Sequence, residues 1–401
     1  MTAVTFGSAP QSDLDPFSPA AIADPYPGYR ALRDLGPVVH LTTHSVWFVS
    51  RYDQVRAAVA DWRTFTSTQG VALTAEMGAY MKGTPLTSDP PEHDRLRSVL
   101  TDKLAPKALA KLRGDIHERA DAIVARVVEQ GEFDAVTDLC ERLPVEIVAD
   151  LIGLPREGRE VLLPGAEAML ASFGPLDERM DERRPAITAY AEFMNRATTR
   201  EYLSPDSWGT AILDAVDDGR IDRESAAPLM SAYLIAAMDT TVNGLAHYLK
   251  ILAERPDVWA ALKADPGLIA PGFEEVLRYD AVAQMAFRVA TRDVEIGGVT
   301  IPGGSRVALG LASANHDERH YPDPEVYDLA RRPYDHLSFG NALHACAGQG
   351  LARLEAHALV TAVLRRADRI EFAGEAVRRS TVPRMRGLES LPLSIVPAAA
   401  G

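Results

Sequence analysis

The 401-residue chain is predicted to be mainly α with one small β region. Two observations carry that reading. Helical periodicity dominates residues 91–264, and alternating apolar and polar residues occur only in short pieces punctuated by Pro and Gly. No repeat, low-complexity tract or linker divides the chain, so residues 1–401 are expected to form a single domain, long for one core unless two layers share a buried group.

In chain order, residues 38–41 and 46–50 read as short strands. Residues 223–256 keep helical spacing around the apolar run 229–238 and predict a long central helix. Glu275 and Arg278 set opposite charges at i and i+3 of a further helix. Residues 294–302 alternate around Gly297-Gly298, the pattern of a hairpin. Residues 350–356 open a last helix directly behind a loop of small residues.

Composition narrows the function classes. A 47% hydrophobic content is ordinary for an enzyme. A net charge of −14 argues against nucleic acid as a partner, because phosphate binding needs a basic field. Residues 1–24 lack a charged-then-apolar leader, and the central apolar run stops at Asp239, short of the ~20 residues that span a bilayer. No membrane association is expected. Cys140 and Cys346 give no disulfide framework, and Cys140, at helical spacing, reads as core.

Three groups of residues carry chemistry. Cys346 sits in the small-residue loop 339–348, which runs into a helix; turn N–H groups and a helix N-terminus stabilise a thiolate, and Phe339 stands where it would shield the sulfur. Taken alone, Cys346 also reads as an ordinary buried cysteine. Asp239-Thr240-Thr241 interrupts the apolar surface of the central helix, where polar groups need a reason. Glu275 and Arg278 form the third. His316 and His320 have metal-like spacing, but the following Glu is in the wrong place for a zinc-protease pattern.

Residues 339–348 resemble the haem loop of the cytochrome P-450 family, Phe-Gly-x-Gly-x-His-x-Cys-x-Gly, and depart from it at Ala342, where the family has glycine. A left-handed conformation there costs alanine ~1 kcal/mol. The resemblance extends over nearly the whole chain and implies a bacterial-type form of the family with a cytoplasmic location. It implies a triangular helical prism with a small β region around one buried haem b, with the Cys346 thiolate as axial ligand. Phe339, His344 and Gly348 would frame that ligand, and Ala236 would face the cofactor from the central helix. His93, Arg97, Arg288 and His344 would hold the propionates, and Glu275, Arg278 and Arg331 would form the family's structural triad. Asp239 and Thr240 match the acid and alcohol that deliver protons; Ala237 replaces the usual glycine two residues before the acid.

The implied activity is that of a haem-thiolate monooxygenase fed with electrons by a ferredoxin and ferredoxin reductase, with NAD(P)H as donor and O2 as co-substrate. Arg95, Arg97, Lys103, Lys107, Lys111 and Arg113 match the ferredoxin-docking region, and read equally as a solvated helix face. Within the family, residues 239–244, 312–315 and 386–392 are similar to members that demethylate para-methoxybenzoates, which makes a small aromatic the expected substrate. The implied pocket comprises Tyr80, Phe173, Ser231, Ile235, Ala283, Ala286 and Leu388. The carboxylate clamp of those members is replaced by Tyr80, Gly83, Ser231 and Ala232, with Lys82 as the nearby cation. A buried carboxylate without donors is costly, so a neutral methoxyphenol held by Ser231 or Tyr80 is expected. Ring or terpenoid hydroxylation, and a non-catalytic haem sensor, are the alternatives; the Asp239-Thr240 pair argues against the sensor.

Overall fold

The computed structural model describes residues 9–80, 82–379, 382 and 384–398. Helices dominate, and the central one, Arg223–Glu254, spans 32 residues. It stops where Pro256 disfavours a helical conformation for Arg255. Its two sides are buried almost throughout, from Leu229 and Met230 to Leu249 and Leu252.

The helix Gln349–Arg366 packs along Pro106–Gln130. Its Leu351, Leu359 and Val363 share one core cluster with Ile116, Ile123 and Val127. Gly350 lies so close to this neighbour that an added Cβ would stand 2.7 Å from a Leu109 methyl. The loop preceding this helix is thereby pinned to a rigid support.

The β region is a six-stranded sheet in the order Gln11–Ser12, Val38–Leu41, Val46–Val49, Arg306–Leu309, Ala286–Ala290, Phe65–Thr66. Val294–Ile296 and Val299–Ile301 form the expected hairpin, with Gly297 and Gly298 at φ 58° and 81°, the signs a two-residue type I′ turn demands. Smaller sheets join Ala367–Phe372, Pro392–Pro397 and Glu132–Asp134, and pair Val377–Arg378 with Leu388–Ser390. Cys140 is fully buried, as expected, within the short turn Val136–Cys140.

Candidate active site

The loop before Gln349–Arg366 consists of two tight turns, Leu337–Phe339 and Ala342–His344. Gly340 (φ 67°) and Ala342 (φ 55°) both adopt positive φ, so alanine occupies the left-handed conformation that the family pattern reserves for glycine. The N–H of Cys346 donates to the Phe339 carbonyl at 2.8 Å. Burial raises the thiol pKa; the N–H groups of Gly348 and Gln349 and the guanidinium groups of Arg97 and Arg353 oppose that rise. Arg353 lies 4.6 Å over the Phe339 ring and is held by Glu274 at 2.6 and 2.9 Å.

Cys346 borders two spaces. One, of about 730 Å³, is lined by Arg97, Leu109, Tyr233 and Arg353; the other, of about 170 Å³, by Phe173, Ala286, Arg288, Phe339, His344 and Arg384. In the middle of the central helix, Tyr233, Ala236, Ala237 and Thr240 are at least partly exposed between buried Leu234, Ile235, Met238 and Asp239. Their spacing, i, i+3, i+4 and i+7, makes one stripe of mostly small side chains. Thr240 Oγ donates to the Ala236 carbonyl at 2.7 Å within that stripe.

Asp239 faces the other way. It is fully buried, and Arg379 reaches its two oxygens at 2.5 and 3.1 Å while also meeting Glu167 at 2.8 Å. Asn243 adds a donor at 3.0 Å to Asp239 and accepts from the Leu388 N–H at 3.2 Å. Gly387 makes this possible: a Cβ there would stand 2.0 Å from Asn243 Oδ1. Burial pulls the Arg379 pKa down, and Asp239 with Glu167 more than reverses this. Neither Arg379 nor Glu167 was expected at the site.

Hydrogen-bond donors and cations cluster around the cysteine loop. His93 is buried and bonds Asp94 through Nδ1 at 2.9 Å, while its Nε2 has no partner. Its ring meets His344 edge-on at 4.9 Å, and His344 Nε2 lies 3.1 Å from Ser67 Oγ. Burial, reinforced by Arg288, His93 and Arg97, lowers the His344 pKa to about 3. Arg97 Nη2 donates to the Ala345 carbonyl at 2.8 Å. Arg288 is buried and donates to the Phe287 carbonyl at 2.7 Å; burial lowers its pKa to about 10 against the pull of Asp89. Among the described residues no carboxylate pairs directly with it. A flat, dianionic macrocycle fits this arrangement: a small-residue wall, a sulfur on a pinned loop, and orphaned donors and cations for its carboxylates.

The triad is assembled. Arg278 meets Glu275 at 2.7 and 2.8 Å, Arg331 meets it at 3.1 Å, and Glu275 and Arg278 are both fully buried. Arg278 also donates to the carbonyls of Asn315 and Pro324, tying three chain segments behind the cysteine loop. Such a network fixes geometry more than it adds stability.

The expected pocket residues part company. Phe173 and Ala286 line the smaller space with Cys346. Ala283 bridges to Met385, and Ile235 and Leu388 are buried in the core. Ser231 Oγ is 2.8 Å from the Tyr190 hydroxyl on the helix Arg184–Ala197, a contact that leaves the serine hydroxyl further hydrogen-bonding capacity. Tyr80 ends the helix Ala75–Tyr80, and its side chain lies outside the described residues. Lys82 is exposed, and Arg384 lines the space beside Phe173. His316 and His320 make no metal site: His316 bonds the Tyr279 carbonyl and His320 bonds Asp335. No helix of the described residues is long and apolar enough to cross a membrane.

A profile of the cytochrome P-450 family matches residues 272–378. The chain is 39% identical over 397 residues to cytochrome P-450 CYP199A2 of Rhodopseudomonas palustris, a match spanning 97% of this chain and 95% of the relative. Vitamin D(3) 25-hydroxylase of Pseudonocardia autotrophica is 32% identical, spanning 99% and 100%. Among solved structures, epothilone D-bound cytochrome P-450epoK superposes with a TM-score of 0.87 at 26% identity, covering 96% of this chain and all of that one (100%). CYP108D1 of Novosphingobium aromaticivorans gives 0.82 at 29% identity, covering 95% and 97%. The chain belongs to the cytochrome P-450 family of monooxygenases, which bind haem b through a cysteine thiolate.

Proposed function

We propose that this enzyme removes the methyl group of a small methoxy-arene, releasing a phenol and formaldehyde. The observation that carries the reading is that Phe173 and Ala286 wall the cleft that Cys346, Phe339 and His344 also line, in a chain whose pocket segments are similar to those of methoxybenzoate-demethylating members. A flat ring stacked on Phe173 would present a para substituent to the cofactor.

Haem, when held by Cys346 and the cationic groups around it, supplies the activation of dioxygen and the insertion of one oxygen atom into a methoxy C–H bond. Two electrons and two protons reduce the other oxygen atom to water, and the hemiacetal product separates into phenol and formaldehyde. Thr240, whose hydrogen is given to Ala236, stands on the partly exposed stripe of the central helix, where its oxygen would accept from and position water. Asp239 is the buried acid behind it, held by Arg379 and Asn243. A ferredoxin, recharged by its NAD(P)H-dependent reductase, would dock at Lys107, Lys111 and Arg113, which are exposed. Arg95 is withdrawn from that surface by ion pairs to Glu92 and Asp222.

The test is turnover of the reconstituted enzyme with 4-methoxybenzoate, guaiacol and syringol. Formaldehyde equal to phenolic product supports the reading. Oxygenated products that retain the methoxy group, without formaldehyde, would replace it with ring or benzylic hydroxylation.

A further inference from the structure

Four arginines crowd the C-terminal stretch 378–386, and three have fixed anionic partners. Arg378 and Arg386 pair with Asp280 at 2.7 and 2.5 Å, and Arg379 pairs with Asp239 and Glu167. Arg384 has none among the described residues. Its Nη1 donates to the Met285 carbonyl at 3.2 Å, its guanidinium lies 4.4 Å over the Phe173 ring, and its buried Nε is unpartnered. It lines the space shared by Cys346, Phe173 and Ala286, together with a second cation, Arg288. Burial and the repulsion of Arg288 lower its pKa to about 10, so it is charged at neutral pH.

Arg288 is buried and Arg384 half-buried, and Arg384 keeps an orphaned donor, so two cations line this space with no protein carboxylate paired to either among the described residues. The carboxylates of haem have other donors in His93, Arg97, Arg288 and His344, whereas Arg384 alone of these groups stacks on Phe173, the ring on which the methoxy-arene reading places the substrate. We infer that Arg384 is the specificity residue that binds a carboxylate on the aromatic substrate, replacing from the C-terminal loop the clamp this chain lacks elsewhere. The inference rests on the methoxy-arene reading and reverses the expectation of a neutral phenol.

The experiment is a ferric spin-state titration of the holoenzyme with 4-methoxybenzoate and its neutral isostere 4-methoxybenzamide, in wild type and in Arg384→Gln. One charge-assisted contact predicts that wild type prefers the acid by about 10- to 100-fold and that the variant loses the preference. Equal wild-type affinities, a preference for the amide, or a preference that survives in Arg384→Gln would overturn the inference. Should the variant fail to hold haem, Arg384 serves a haem carboxylate and the inference falls. 4-Ethylbenzoate separates the two readings: acid binding that depends on Arg384, with no formaldehyde from the methoxy analogue, would sink the demethylation reading and leave the carboxylate anchor standing.

Discussion

Replacing Arg379 by methionine strands the acid of the central helix. Two guanidinium nitrogens reach the fully buried Asp239 at 2.5 and 3.1 Å, and one of them also meets Glu167 at 2.8 Å. Removing one partner of a buried ion pair costs about 3–5 kcal/mol, because the remaining charge is left in a medium that solvates it poorly. Asn243, which keeps one bond to the same carboxylate, holds the loss toward the lower end. Unfolding entropy of about 2.1 cal/mol/K per residue over 401 residues converts this to a fall of about 4–6 °C in the melting midpoint. The assay is thermal unfolding of holoprotein at neutral pH, followed by circular dichroism. The double variant Arg379→Met/Asp239→Asn removes both charges and should regain most of the loss. A midpoint shift below about 1 °C, or a double variant no better than the single, would refute the assignment of Arg379 as the counter-ion of Asp239.

The remaining predictions are local. Ala342→Gly relieves a left-handed alanine and should stabilise the protein by about 0.5–1 kcal/mol in denaturant titration; a loss of stability would show that the loop holds alanine without strain. Burial raises the Glu355 carboxyl from 4.5 to about 8, so its ionised form is penalised in the folded state. Stability should therefore fall as pH rises from about 4.5 through 8, by on the order of 5 kcal/mol, and Glu355→Gln should flatten that window; parallel profiles for the two proteins would contradict it. Thr240→Ala should divert reducing equivalents to peroxide or water while substrate affinity is unchanged, and coupling equal to wild type would remove Thr240 from proton delivery.

Features set by neighbouring residues were readable from the sequence. The cysteine loop, the Glu275–Arg278 pair and the Gly297-Gly298 hairpin each depend on spacing within one segment, and the structure builds each where its pattern lies. Arg331 joined the triad because its segment also has a stereotyped pattern. Partner choice across the fold was not readable. Four arginines at 378–386 look alike in sequence, yet three are neutralised and Arg384 is not, a difference made by Asp280, Asp239 and Glu167, 98 to 212 residues away. The partner of Ser231 was hidden for the same reason: Tyr190 sits on another helix, 41 residues earlier. The orientation of Asp239, away from the stripe that carries Thr240, follows from where Arg379 lies and has no signal in the Asp-Thr-Thr run itself.

The central claim is that Cys346 is the haem ligand, and the chain has only one other cysteine, the buried Cys140. Carbon monoxide difference spectra of the reduced protein test it, comparing wild type, Cys140→Ser and Cys346→His. The account predicts the red-shifted band of thiolate ligation in wild type and Cys140→Ser, and its replacement by a histidine-type spectrum in Cys346→His. A thiolate band that survives in Cys346→His, or one that disappears in Cys140→Ser with haem retained, would contradict it.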